Sequence, residues 1–426
     1  MTRRSILVVE DQAHLAYGHY PKGFTDLTRA LTQLGCDVRV LTSRGWVGGD
    51  GREQGIRVER FGWLTAALWS IADALQPSRT RKDWPRGVRW SAYAAATMRA
   101  SSIALATRRA LRRSPSPAPD AILFHHDVHT FVLAALVGPG RFVHHAFRSP
   151  PGDRPRTMAG RLLDREVRRQ EARRRREAGG FRVVAATPAL VDAWTRRAPY
   201  LDPVEIVHGM SADEQPLDDA RRVFGIADDA RVALVFGADH GNKDLDTVWR
   251  AFGTLPEWTL LVVGTVADAY GTWLATHGAV DGAVVVGGYV DYETRARAYS
   301  AADVVVISFE PGHVRDSGVL QDALAFGRPA VCSSGTDSAN RITEFGLGRV
   351  FEPGDADALA AAVRAGPWRP LSSEVVERAR ERTSAASVAR AHLDALDALG
   401  GAGGAGGAGG ADGADARGAP DQTGRK

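Results

Sequence analysis

Cysteine is almost missing from this 426-residue chain: Cys36 and Cys332 are the only two. Neither stands in a CxxC or metal-type spacing, which argues against a disulfide scaffold and a structural zinc and fits a reducing, cytoplasmic setting. No stretch approaches the roughly 18 consecutive apolar residues of a membrane span. The opening MTRRSILVVEDQAH has only a short apolar run, at 6–9, before it turns acidic. It therefore reads as a first strand and not as a secretory signal. The motifs GxSxG, GxxxxGK[ST] and HExxH are all absent, so neither a nucleophile elbow, a phosphate loop of that type, nor a zinc-protease helix is expected. What remains is a globular composition, 44% hydrophobic and 24% charged, in a chain long enough for two domains.

The net charge of +4 is unevenly spread. Arginine crowds 154–176 (RPRTMAGRLLDREVRRQEARRRR) and 79–113. Such runs read as solvated, salt-bridged helices, or as an electrostatic contact with anionic lipid or an acidic acceptor. No nucleic-acid motif or aromatic interleaving accompanies them, so nucleic acid is not an expected partner. The segments WLTAALWSIADAL (63–75) and RKDWPRGVRWSAYAAATM (81–98) are amphipathic and aromatic. They are expected to complete the core, with an apolar acceptor site as the alternative.

Strand-like and helix-like patterns alternate along the chain. SILVVE (5–10), FTDLTRALTQLG (24–35) and CDVRVLTS (36–43) form a strand–helix–strand unit, for which a parallel sheet with a right-handed crossover is the default. Further strands are expected at 121–126, 142–147 and 181–187, with helices at 63–75 and 90–111 between the second strand and these. VEIVHG (204–209) either closes the first domain or bridges to a second. Val-rich runs at 231–237, 259–264, 283–288, 303–308 and 329–333 then alternate with helical stretches. Continuous apolar strands with intervening helices imply parallel sheets covered on both faces, hence two doubly wound α/β domains with a ligand cleft at the strand carboxyl ends. A single long helix is expected over 374–399, and the Gly/Ala-rich tail 400–426 lacks core-forming residues.

The stretch SGVLQDALAFGRPAVCS (317–333) carries the chemistry. Ser317 and Gly318 open a helix whose free amides and positive dipole end suit an anion. Asp322 lies one turn inside, placed to accept from a sugar hydroxyl. Gly327 and Pro329 end the helix before a short buried strand.

Read in order, ILVVE, GCDVRVLTS, VEIVHGMSAD, FGADHGNKDLDTVWRAF, YSAADVVVISFEP, SGVLQDALAFGRPAVCS and GLGRVFEPGDADALAAAV resemble the GT-B glycosyltransferases, specifically the family 4 (group 1) type. The resemblance implies an acceptor-side domain over 1–200 and a nucleotide-sugar domain over 201–372. It further implies a carboxyl-terminal helix over 373–399 that packs back on the first domain, and a disordered tail over 400–426. It implies a retaining, metal-independent hexosyltransferase that takes a nucleoside diphosphate sugar, UDP or GDP foremost, and needs no cofactor. In that reading Lys243 and the amides of Ser317, Gly318 and Val319 hold the leaving diphosphate, and Asp322 takes the ribose. Gly18 allows close backbone approach, His19 lies near the cleft, and His145 (with His144 as second choice) contacts the transferred sugar. The chain departs from the family pattern at Val314, where the first Glu of E-x7-E is expected, at Ala238, where an Arg is expected, and at Asp244, where a Gly is expected. Arg315 would supply the missing guanidinium; Glu310, Asp316 or His313 would take the sugar contact.

The HHDVH string (125–129) lacks a carboxylate partner by motif, and the DxD strings at 244–246 and 355–357 are incidental in such a fold. No metal site is therefore expected. The acceptor, whether a lipid-linked glycan, a polysaccharide precursor or a small metabolite, is not legible, and a peripheral place at the inner membrane face is compatible with the arginine runs. The competing readings are a sugar-nucleotide epimerase or phosphorylase on the same fold, and a non-catalytic nucleotide-sugar-binding or scaffold protein.

Overall fold

The computed structural model describes residues 3–13, 19–46, 55–75, 86–114, 118–125, 130–147, 150, 165–166, 168–169, 172, 180–207, 209, 214–239, 241–278, 280–313, 317–366 and 368–401. Two parallel sheets organise the chain. The first uses β1 (Ser5–Val9), β2 (Asp37–Thr42), β3 (Arg57–Arg60), β4 (Asp120–His125), β5 (Arg141–Ala146), β6 (Gly180–Ala185) and β7 (Val204–Glu205), in the order β3-β2-β1-β4-β5-β6-β7. The second uses β8 (Arg231–Phe236), β9 (Trp258–Val263), β10 (Val284–Val286), β11 (Val304–Ile307), β12 (Ala330–Ser333) and β13 (Gly348–Phe351), in the order β10-β9-β8-β11-β12-β13. Each begins with the winding of a dinucleotide-binding sheet, whose strand order reverses beside its first strand. The chain therefore folds as two Rossmann-like α/β domains in a GT-B arrangement.

Helices cover both faces, as the continuous apolar strands require. In the first domain they are α1 (His19–Gln33), α2 (Trp63–Ala74), α3 (Arg86–Arg112), α4 (Thr130–Leu136) and α5 (Pro188–Arg197). In the second they are the single turn α6 (Ala220–Val223), α7 (Leu245–Phe252), α8 (Val266–His277), α9 (Tyr292–Ala301), α10 (Gly318–Ala325), α11 (Asp337–Phe345) and α12 (Ala356–Arg364). Strand alternation divides each core in two. In β1, Leu7 and Val9 face the α2–α3 side, while Ile6 and Val8 face the α1 side.

β7 pairs in parallel with β6, so VEIVHG closes the first sheet. The expected single helix over 374–399 is two helices, α13 (Ser373–Thr383) and α14 (Ala385–Gly401). Ser384 breaks them: its backbone is extended, and its hydroxyl accepts from the Ser387 amide at 3.2 Å, which starts α14 afresh. α14 then crosses back to the first domain, where Val388, Ala389, Ala395 and Leu396 are buried with Ile6, Val8 and Leu31. Arg4 ties its far end down through Asp397 at 3.0 Å. A second crossing bond runs from the buried Arg341 of α11, whose Nη2 donates to the Ala186 carbonyl at 3.0 Å. Among the described residues no helix is long and apolar enough to cross a membrane.

α2 departs from expectation. Its inner face packs Trp69 and Ala72 into the core, but Trp63, Leu64, Leu68 and Ile71, together with Leu75 just beyond it, are exposed. The segment 63–75 thus completes the core with one face only. The basic segment 154–176 lies almost entirely outside the described residues, as does the tail from 402.

Candidate donor site at the second sheet

The strand order of the second sheet reverses between β8 and β11. Loops that leave those two strands diverge there and open a crevice at their carboxyl ends. The β8 loop begins at Gly237, with φ of 106°, and packs against the turn after β9. A Cβ on Gly264 (φ 108°) would lie 2.5 Å from the Gly237 carbonyl oxygen, so glycine is required at 264 for this approach. A Cβ on Gly237 would meet the Val319 side chain at 3.8 Å. Gly237 therefore faces the first turn of α10, and the β8 turn and the α10 amino terminus share one site.

Lys243 returns to this point. Its Nζ donates to the Phe236 carbonyl at 3.0 Å and lies 5.9 Å from the centre of the Phe309 ring. The side chain keeps partial exposure. Burial of the ammonium pulls its pKa down to about 8 against the opposing pull of Asp239 and Cys332. The loop is fixed around it. The Glu310 amide donates to the Asn242 carbonyl at 3.1 Å, and the Asp244 amide donates to the Ser308 carbonyl at 3.2 Å. Asp244, where the family pattern has glycine, is the N-cap of α7: Oδ1 accepts from the Thr247 amide at 3.3 Å and Oδ2 from the Gly354 amide at 3.0 Å. The DxD string at 244–246 is thus a cap followed by a first-turn acid, and that at 355–357 repeats the pattern at α12, where Asp355 accepts from Ala358 N at 2.8 Å.

At α10, the first helical bonds are made by the Leu320 and Gln321 amides to the Ser317 carbonyl. The Gly318 and Val319 amides precede them and supply the positive end of the dipole. Ser317 is buried and extended, and its side chain does not cap the helix. His313 stacks on Phe309 with ring centres 3.8 Å apart, on the same loop as Glu310. Gly237, Lys243, Phe309, His313 and Val319 are therefore assembled in one crevice from three segments.

Asp322 is placed differently from the sequence expectation. It is buried, and Oδ1 accepts from Arg295 Nη1 at 2.7 Å. Arg295 in turn donates through Nη2 to Glu214 at 3.0 Å and lies over the rings of Tyr292 and Phe326. The carboxylate of Asp322 also pushes the Tyr299 hydroxyl pKa well above its ordinary value, after burial as the larger cause. Sequence reasoning missed Arg295, since nothing in YETRARAYSA distinguishes it from a surface helix arginine. Its two partners are 27 and 81 residues away.

In the first domain, His144 and His145 are both about 1% exposed. His145 stacks on Phe147 with ring centres 4.3 Å apart and lies 5.3 Å from His392 of α14. His144 points to the opposite face of the sheet, beside Phe181. Gly18, Val314, Arg315 and Asp316 lie outside the described residues, as do residues 126–129 of HHDVH; His19 begins α1. Among the described residues no group of three His, Cys, Asp or Glu side chains is placed to hold a metal ion.

Sequence reasoning also passed over Glu10, at the end of β1 and the reversal point of the first sheet. Its Oε1 accepts from the Gln12 amide at 2.8 Å. Burial, and then the neighbouring Asp11 carboxylate, raise its pKa well above the usual carboxylate range. Asp11 is held by Trp69 Nε1 at 2.6 Å and by Arg99.

The whole chain is similar to several solved structures. One is a sucrose-phosphate synthase from Thermosynechococcus elongatus (17% identity, TM-score 0.63, 93% of this chain and 99% of that one). Another is a glycosyltransferase from Rickettsia africae (13%, TM-score 0.62, 94% and 99%). A third is HepE from Anabaena, solved with UDP-glucose (13%, TM-score 0.59, 92% and 99%). No curated protein matches the sequence. Residues 230–365 match the family model of the group 1 glycosyl transferases, so the second domain, which holds the crevice, carries that family's sequence pattern on a GT-B framework.

Proposed function

We propose that this protein transfers a glycosyl group from a nucleoside diphosphate sugar to an acceptor hydroxyl. The observation that carries the reading is the convergence of Lys243, the Gly237 turn and the α10 amides at the strand reversal of the second sheet. Backbone donors, a dipole end and an ammonium fixed before substrate arrives would stabilise a diphosphate as it gathers charge on leaving. In this reading the transfer proceeds without a metal and with retention of configuration, as in family 4 enzymes. UDP is the first donor nucleotide to try, since the similar Anabaena protein was solved with UDP-glucose. Asp322 would meet the ribose only by sharing its carboxylate with Arg295 or by giving that partner up. His145 would reach the sugar only after displacement from its stack on Phe147.

The test is a thermal-shift panel of UDP, GDP, ADP and dTDP sugars on wild type and Lys243→Ala, followed by donor turnover with candidate acceptors. A ligand well above its Kd should raise stability by about 2–4 kcal/mol. One nucleotide that shifts wild type but not the variant supports the site. No shift with any nucleotide overturns it. A donor that binds and is never consumed would move the protein to the non-catalytic reading.

A further inference from the structure

We infer that the outer face of α2, with the arginines of α3, is a surface that seats on an anionic lipid bilayer. A helix on the outside of a soluble domain normally shows a polar face to water. α2 does the reverse. Trp63 is 77% exposed, Leu64 55% and Ile71 50%, and Leu68 and Leu75 continue the same side. Leu64, Leu68, Ile71 and Leu75 follow one another at four, three and four residues, which sets them along one stripe of a 3.6-residue helix, with Trp63 beside Leu64 at its start. Together they bare an apolar area on the order of 500 Å², the size at which such patches mark interaction sites on otherwise polar proteins. Five of the large apolar side chains exposed among the described residues belong to this one segment.

Charge supplies the occupant. Residues 60–119 contain eleven arginines and lysines and two acids, while the whole chain is only +4. Among the described residues of this stretch Arg99 is buried against Asp11, while Arg108, Arg109 and Arg112 of α3 and Arg113 just after it are exposed. α3 packs beside α2, and Arg109 reaches back to it: a Cβ on Gly62, next to Trp63, would lie 3.6 Å from the Arg109 guanidinium. On the same side of α3, Leu105, Arg108, Arg109, Arg112 and Arg113 line an open depression of about 530 Å³. Guanidinium groups in a concave patch suit phosphate groups, to which they donate in pairs. An apolar helix face beside such a patch matches a surface-lying helix, with its side chains in the acyl boundary and its neighbouring arginines at the headgroups. This surface belongs to the first domain and uses none of the donor-site residues.

The test is flotation of the full-length protein with two vesicle types: phosphatidylcholine alone, and phosphatidylcholine with about 30 mol % phosphatidylglycerol. Two exposed pairs are varied, Leu68→Gln with Ile71→Gln, and Arg108→Gln with Arg112→Gln. Wild type should float with the anionic vesicles and remain behind with the neutral ones. Each pair should lower the bound fraction by roughly tenfold or more, with Tm and UDP-sugar response unchanged. Wild type that fails to float with anionic vesicles overturns the inference, as does a bound fraction that neither pair alters. So does light scattering that shows a wild-type dimer dissolved by the Leu68/Ile71 pair, which would assign the face to a second copy of the chain.

Discussion

Lys243 is one of four lysines in a chain with fifty arginines. At this position the choice has a consequence: an arginine stays charged at any ordinary pH, whereas a buried lysine shifts its pKa. Burial brings the Lys243 ammonium down to about 8 from 10.5. The unfolded chain therefore holds more protons between those values, and stability rises with pH across that window. A diphosphate placed on the ammonium would raise its pKa again. Titration of UDP near pH 8 in two buffers of different ionisation enthalpy should show uptake of a fraction of a proton, absent at pH 6 and absent in Lys243→Met. Zero uptake at pH 8 removes the lysine–diphosphate contact. The Arg295–Asp322 pair makes a second prediction at this scale. Both side chains are at most 10% exposed, and breaking one partner strands a buried charge. Arg295→Met or Asp322→Asn should each cost about 3–5 kcal/mol in urea unfolding, and the double variant should recover part of that. Equal and additive losses would show that the two are not coupled. Lys243 and Asp322 were both legible as candidates because each stands in a motif. The partner that occupies Asp322 was not, because long-range ion pairs leave no local pattern.

Elements were legible where periodicity was strong. β8, β9 and β11 are runs rich in Val, Leu or Ile and β12 is a short apolar run after Pro329, and all fall within two residues of expectation. β3 was missed because RVER has no apolar alternation; it is an edge strand whose register comes from pairing with β2. α2 was read as a helix correctly, and as part of the core correctly for one face only, since an apolar residue names its preference and not its neighbour. The break at Ser384 is a capping event that charged, Ala-rich sequence on both sides conceals. α14 supplies a prediction at this scale. His392 is fully buried, its Nδ1 donates to the Val388 carbonyl at 2.8 Å, and burial lowers its pKa to about 4. The unfolded chain takes up this proton from pH 6.5 downward and the folded chain does not until about 4. Stability should fall across that interval by on the order of 3 kcal/mol. His392→Leu should flatten this acid slope in pH-dependent melting. A slope unchanged in the variant would place the titrating group elsewhere.

At the scale of the molecule, two sheets of matched winding were foreseeable from alternation alone, and the crevice at a strand reversal follows from that topology. The path of the last helix was not encoded in any local pattern. α14 belongs to the end of the chain yet fills the core of its beginning: Val388, Ala389, Ala395 and Leu396 cover the same sheet face as Ile6 and Val8. This bears on how the protein is made. Synthesis runs from the amino terminus, and domains generally fold as they emerge. Here the first sheet can form early, but one of its faces is covered by α1 alone, without α14, until nearly four hundred residues have been translated. During that time the second domain completes its own core. A message truncated at codon 384 should yield a soluble second domain attached to a first domain that aggregates. A ribosome-bound chain should become protease-resistant in the order second domain, then first. The first half of the protein to be born would be the last to mature.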